Sequence, residues 1–292
     1  MKKYRLLKGA LAVVAAFALV FTLVACTQPK VEQPAEVTPP KEDVVPTPDP
    51  VELQIFAANS LEKALPEVQE LYTEQNPEVT FADTQFKASG DLVEQIGAGA
   101  TPDALITASK GSMDTAVEGG SIDETTRVDM FGNDLVVVKA KGSDVTVASL
   151  EDVKLDTFTK IAIGDSATVP AGQYANQSLN SIGLYSSDTG KEGEYDASIA
   201  SKVVLADKVG TAANYVATGD CQIGFVYTSD IYRYDGIEAA FTVPADAHKA
   251  ILYPGAVLKD SKNAKAAEDF LTFCLTDPEA QKIWSKYGFE VL

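Results

Sequence analysis

From Leu53 onward the chain repeats one pattern, a short and continuously apolar run followed at once by apolar residues at helical spacing. Leu53 to Ala57 precedes Leu61, Leu65, Val68 and Tyr72 on a helix from Ser60; Val79 to Ala82 precedes a helix from about Gly90 through Leu92, Val93 and Ile96; Ala104 to Thr107 precedes a helix around Met113 to Val117. Such runs are too short for helices and too uniformly apolar for strands with one wet face, so they predict strands covered on both sides. Strands of that kind need helices on both faces of a largely parallel sheet, which restricts the chain to the α/β class.

The pattern resumes after Phe131-Gly132-Asn133-Asp134. Leu135 to Val138 and Lys160 to Gly164 predict strands, followed by a helix from about Ala171 to Ser181. Val203 to Leu205, a helix from Val209 to about Thr218 and the strand Ile223 to Tyr227 continue the series. Ala239 to Val243 is expected to carry the chain back, Ile251 to Leu258 to form another strand, and two helices, Ala264 to Leu275 and Pro278 to Lys286, to close it. The expected architecture is two Rossmann-like lobes joined by a two-stranded hinge, with residues 51–131 and 244–292 in lobe I and residues 132–243 in lobe II. Two crossings leave a cleft that can open and close.

The segment before Val51 reads as an address and a tether. Lys2, Lys3, Arg5 and Lys8 precede an uncharged apolar run from Gly9 to Ala25, the order of a secretory signal, so residues 1–25 are expected to be removed on export. The run ends in Leu23-Val24-Ala25-Cys26, which resembles a bacterial lipobox and makes Cys26 the expected lipidation site, anchored to the outer face of the cell membrane. Residues 26–50 are rich in proline and poor in large apolar residues, an extended and solvated tether.

Charge and composition remove several functional classes. With 24 Lys+Arg against 42 Asp+Glu and a net charge of −18, the chain has no basic surface with which to neutralise phosphates, and a nucleic-acid partner is not expected. Three cysteines, one histidine and no Cys-x-x-Cys pair give poor support for a metal centre built from the usual ligands. His248 with Ser60 and an aspartate could be read as the nucleophile set of a secreted hydrolase, but there is no Gly-x-Ser-x-Gly elbow, and a hinge or packing role for His248 is expected instead. Trp284 and Phe289, in an amphipathic tail, are expected in the core, and Cys221 and Cys274, assigned to different lobes, are expected to be free thiols.

Ordered motifs carry a more specific signal. Phe56-Ala57-Ala58-Asn59-Ser60-Leu61, Ala88-Ser89-Gly90 and Pro102-Asp103-Ala104-Leu105-Ile106 are followed by Gly132-Asn133-Asp134-Leu135, Val169-Pro170-Ala171-Gly172, Gly224-Phe225-Val226-Tyr227 and Val243-Pro244-Ala245-Asp246. In this order, from about residue 52 to the end, they resemble the periplasmic molybdate-binding proteins of ABC importers, with the type II binding-protein architecture. The resemblance implies a monomeric, non-enzymatic receptor that captures molybdate or tungstate and hands it to a membrane permease, with no cofactor; molybdenum is bound as its oxyanion and not through metal ligands. The positions matching the family's binding residues are Ser60, Ser89, Ala171, Val209 and Tyr227, all uncharged. The implied chemistry is donation alone, from serine and tyrosine hydroxyls and from backbone N–H groups at helix starts, to an anion with no proton of its own. Ala88 and Thr168 depart from the family's pattern, where many relatives carry a second serine and a histidine. The same fold could serve another oxyanion or small solute.

Overall fold

The computed structural model describes residues 49–292; the predicted leader, Cys26 and all but the end of the predicted tether lie outside them. In chain order the first part forms β1 (Val51–Leu53), β2 (Ile55–Ala58), α1 (Ala64–Gln75), β3 (Val79–Phe81), β4 (Gln85–Lys87), α2 (Ser89–Gly97), β5 (Ala104–Ile106), α3 (Lys110–Glu118) and β6 (Val128–Asn133). The middle part forms β7 (Leu135–Ala140), β8 (Ile161–Gly164), α4 (Pro170–Ser181), β9 (Val203–Ala206), α5 (Val209–Ala217), β10 (Ile223–Tyr227), α6 (Thr228–Arg233) and β11 (Ile237–Thr242). The last part forms β12 (Ile251–Val257), α7 (Ala264–Thr276), α8 (Pro278–Lys286) and β13 (Glu290–Val291).

These strands make a six-stranded sheet, β13-β6-β12-β5-β2-β4, and a five-stranded sheet, β11-β7-β10-β8-β9. Each sheet has a parallel half, β4-β2-β5 and β10-β8-β9, and an antiparallel half built from the strands next to the crossings. The chain leaves the first sheet after Asn133, enters the second at Leu135, and returns between Thr242 and Ile251. The α/β class with two sheet-centred lobes holds, but the sheets are mixed where parallel pairing was expected, because strands that run out to and back from a neighbouring lobe arrive in opposite directions.

Alternation along β2 explains how the first sheet is covered. Phe56 faces α2 and α3, packing with Leu92, Ile96, Leu105 and Met113, while Ile55 and Ala57 face the opposite side with Leu65, Val68, Phe270 and Trp284. Trp284 is fully buried against Phe131 and Phe289, and its indole N–H donates to the Cys274 carbonyl at 3.0 Å, so the tail is core as expected. Cys221 and Cys274 are buried, free thiols.

Three expectations need correction. Ser60 does not begin an α-helix: Asn59–Leu61 is a single 3₁₀ turn, and α1 starts at Ala64. The apolar run at Val79 pairs only with β1 in a separate two-stranded sheet, and β4, a more polar strand, takes the place beside β2. Residues Ala239 to Thr242 belong to β11 and pair with β7, so the return crossing comes after them.

In the second lobe α4 lies unusually close to β8. A Cβ on Gly172 would stand 1.9 Å from the Gly164 carbonyl oxygen, so only glycine allows the helix to seat where it does. That contact sets the position of the α4 N-terminus, which faces the other lobe.

Candidate ligand-binding site

Between the two sheets lies a narrow cavity, walled by Ala58, Asn59, Ser60, Lys87, Ala88 and Ser89 from one side and by Val169, Pro170, Ala171, Val209 and Tyr227 from the other. All five positions singled out in the sequence, Ser60, Ser89, Ala171, Val209 and Tyr227, line it, and each is buried.

Helix starts dominate the wall. α2, α4 and α5 begin at Ser89, Pro170 and Val209, after N-cap residues Ala88, Val169 and Lys208, and none of the three has a side-chain cap. Side-chain oxygens at N-cap positions normally accept the first N–H groups of a helix. Here those groups stay available: the N–H groups of Ser60, Ser89, Ala171 and Val209 take no acceptor among the described residues. Their neighbours do something else. Gly90 N–H donates to the Thr168 carbonyl at 2.9 Å and Gly210 N–H to Asn59 Oδ1 at 3.1 Å, both across the cleft. Uncapped N-termini that together line one cavity present the positive ends of their dipoles to it and attract negative charge.

Three hydroxyls complete the wall. Ser89 Oγ accepts the Ala108 N–H at 2.9 Å, which occupies a lone pair and leaves its proton free to donate. Ser60 Oγ lies 2.9 Å from the Tyr253 hydroxyl. The Tyr227 hydroxyl is buried with no hydrogen-bond partner among the described residues. Burial, reinforced by Tyr253, Tyr174 and Asp230 nearby, pushes the Tyr227 phenol well above its ordinary value, so it keeps its proton and remains a donor. Its backbone is held by Asp230, which accepts the Tyr227 N–H at 3.0 Å.

Lys87, at the end of β4, also belongs to the wall, which corrects the picture of a site without basic residues. Sequence reasoning missed three further contributors. Asn59 ties the lobes through Gly210, Tyr253 touches Ser60, and Asn133 touches Tyr253 at 3.3 Å. Asn59 and Asn133 stand inside the matched motifs, but an asparagine near a strand end reads as a turn residue, and Tyr253 sits in an apolar run that reads as core. One signal was available: the apolar or basic residues at the N-cap positions of α2, α4 and α5 are poor caps, and a helix without a cap is one whose N–H groups are free for something else. The structure places Thr168 at the cleft through its carbonyl, a backbone role indifferent to its side chain. His248 stacks edge-on to Tyr174 of α4 at 5.9 Å, between the return crossing and the second lobe and away from the cavity wall.

Two α/β lobes, linked by two crossings and enclosing a donor-lined cavity, define the class of receptors that capture a small ligand by closing on it. The chain belongs to the bacterial extracellular solute-binding protein family, which it matches over residues 53–290. The molybdate-binding protein ModA of Escherichia coli (strain K12) is 34% identical over 250 residues, 83% of this chain and 90% of that protein. YvgL of Bacillus subtilis (strain 168), described as a candidate ABC transporter substrate-binding lipoprotein, is 32% identical over 239 residues, 82% of this chain and 86% of that protein. The solved periplasmic molybdate-binding protein of Azotobacter vinelandii shares the fold with a TM-score of 0.68 at 20% identity, over 81% of this chain and 98% of the other. This protein is thus an extracytoplasmic solute-binding protein of the kind that serves ABC importers.

Proposed function

We propose that the cavity holds a tetrahedral, fully deprotonated oxyanion, molybdate or tungstate, and that the protein delivers it as a monomer to a membrane ABC permease. One observation carries this reading: the buried, unpartnered Tyr227 hydroxyl stands in the same wall as four N–H groups that likewise take no acceptor among the described residues. A buried polar group without a partner costs on the order of 1–3 kcal/mol, so several donors grouped around one cavity favour a ligand that accepts from all of them. Among the described residues no carboxylate lines the wall, so the ligand need offer no proton. The names of the relatives point to the same ligand.

The reading extends to the chain's N-terminus. Cleavage before Cys26 and lipidation of its thiol would hold the body at the outer face of the membrane, as the name of the Bacillus relative also suggests for that protein. Mass spectrometry of the Cys26→Ser protein should then show no acyl chains.

Calorimetry of the full-length protein in detergent against molybdate, tungstate, sulfate and phosphate tests the ligand. Molybdate and tungstate should bind, and Tyr227→Phe should weaken both by roughly ten- to a hundred-fold, the loss of one hydrogen bond to a charged group. Unchanged affinity in Tyr227→Phe would place the ligand elsewhere.

A further inference from the structure

The direction of each hydrogen bond around Ser60 can be worked out from groups that only donate. The Asp134 N–H donates to Asn133 Oδ1 at 2.9 Å, which fixes the amide so that Nδ2 faces Ser229 Oγ at 2.8 Å and the Tyr253 hydroxyl at 3.3 Å. Because an amide NH₂ cannot accept, the Tyr253 oxygen receives that bond and its own proton must go to the one acceptor within reach, Ser60 Oγ at 2.9 Å. Ser60 then receives a proton from Tyr253 and cannot return one. Its own O–H is turned toward the cavity that it lines. Tyr253 is fully buried, and burial pushes its phenol far above the ordinary value, so the chain of donors is not broken by ionisation.

We propose that Asn133 and Tyr253 are positioning residues that hold the Ser60 hydroxyl as a donor into the cavity, an inference that rests on the oxyanion reading above. Neither lines the cavity: Tyr253 stands behind Ser60 and Asn133 behind Tyr253, so both act through Ser60. The arrangement is also tied to the crossing between lobes. Asn133 ends β6, the last residue of the first sheet before the chain passes over, and its second amide proton goes to Ser229 in α6 of the other lobe.

A double-mutant cycle with molybdate as the probe tests the proposal. Tyr253→Phe keeps the ring between Tyr227 and Phe289 and removes only the hydroxyl. It should weaken molybdate about five- to tenfold, the range of one ordinary hydrogen bond. In the Ser60→Ala background the same change should have almost no effect, since there is no hydroxyl left to orient. Melting curves without ligand verify that each variant is folded; should Tyr253→Phe not fold, Asn133→Ala unties the same hydroxyl from the other end, and most of its loss should likewise vanish in Ser60→Ala. Additive losses would mean a general packing role and would overturn the inference, as would full affinity in Tyr253→Phe. A wild-type protein that binds neither molybdate nor tungstate would overturn the oxyanion reading and the positioning role with it.

Discussion

The amide of Gly90, one residue into α2, donates to the carbonyl of Thr168 across the cleft, and the backbones approach so closely that a Cβ on Gly90 would lie 2.7 Å from the Thr168 Cα. The contact exists only when the lobes are together. Gly90→Ala should therefore oppose closure and leave each lobe intact. Overpacking against backbone costs about 1–3 kcal/mol, which here would appear as roughly a ten- to hundredfold loss of ligand affinity. The melting temperature without ligand should stay near that of the wild type, because the lobes relieve the clash by opening. A large drop in unliganded stability with unchanged affinity would contradict this.

Arg233 and Glu62 make another contact across the cleft, and its two ends differ in burial. Arg233 Nη2 lies 2.9 Å from Glu62 Oε2, and the guanidinium is nearly inaccessible while the Glu62 side chain is 47% exposed. On its inner side the same guanidinium pairs at 2.6 Å with Asp230, which is completely buried. Removing the exposed partner in Glu62→Gln should cost no more than about 1 kcal/mol. Removing the cation in Arg233→Met leaves Asp230 buried without its counter-charge and should cost on the order of 3–5 kcal/mol. Chemical denaturation of the two variants checks the contrast; equal effects would mean that the Asp230 pair is not the anchor.

Much of this arrangement was readable in advance, and the unreadable part has a common cause. The buried strands β2, β5, β7, β8 and β10 announce themselves as continuous apolar runs, and the helices after them as apolar stripes. β4 escaped notice because Gln85-Phe86-Lys87 is half-buried and mostly polar, as suits an edge strand. The run at Val79 predicts a strand and forms one, but apolarity says that a strand is covered and not what it pairs with. The five cavity positions came from the ordered motifs; by residue type Ala171 and Val209 carry no signal, because a backbone N–H is the same in every residue but proline. Asn133 and Tyr253 were invisible for a different reason. Their importance lies in who donates to whom, and that depends on contacts between residues 120 and 193 positions apart in the chain.

Acid should weaken the packing of α1 against α8. The Tyr287 hydroxyl and the Lys286 ammonium, the latter 2.9 Å away, bind the Glu67 carboxylate and hold its pKa below the usual 4.5. A carboxylate with a depressed folded-state pKa contributes stability that is fully present above its unfolded value and is lost as pH falls through the folded one. Melting temperature should therefore decline as pH drops below 4.5, and Tyr287→Phe, which removes the strongest of these interactions, should lower the melting temperature at neutral pH, converge on the wild type in acid and so flatten that decline. A decline of the same steepness in Tyr287→Phe would assign the acid sensitivity to other carboxylates.

Selectivity among oxyanions should follow size and protonation, not charge. Molybdate, tungstate and sulfate are all tetrahedral dianions at neutral pH, and the wall offers N–H and O–H donors that could satisfy any of them. Any long-range attraction from Lys87, which is part of the wall, acts on each dianion alike, so added salt lowers every affinity together and does not sort them. The metal–oxygen bonds are longer than the sulfur–oxygen bonds, and the donors sit on structures that cannot follow a smaller ligand inward. Ala171 is held by the contact of α4 with β8 through Gly172, Ser89 by Ala108, and Val209 by the adjacent bond from Gly210 to Asn59. Sulfate would leave some of them stretched or unmet, at on the order of 1–3 kcal/mol each, and two such losses amount to about a hundredfold or more. Phosphate retains a proton at neutral pH, and among the described residues no carboxylate lines the wall to accept it. Calorimetry should therefore place molybdate and tungstate within about an order of magnitude of each other and both far above sulfate and phosphate, with the ranking preserved as salt rises. Sulfate binding as tight as molybdate would show that the donors move with the ligand, and phosphate binding as tight would show that the wall supplies an acceptor for its proton.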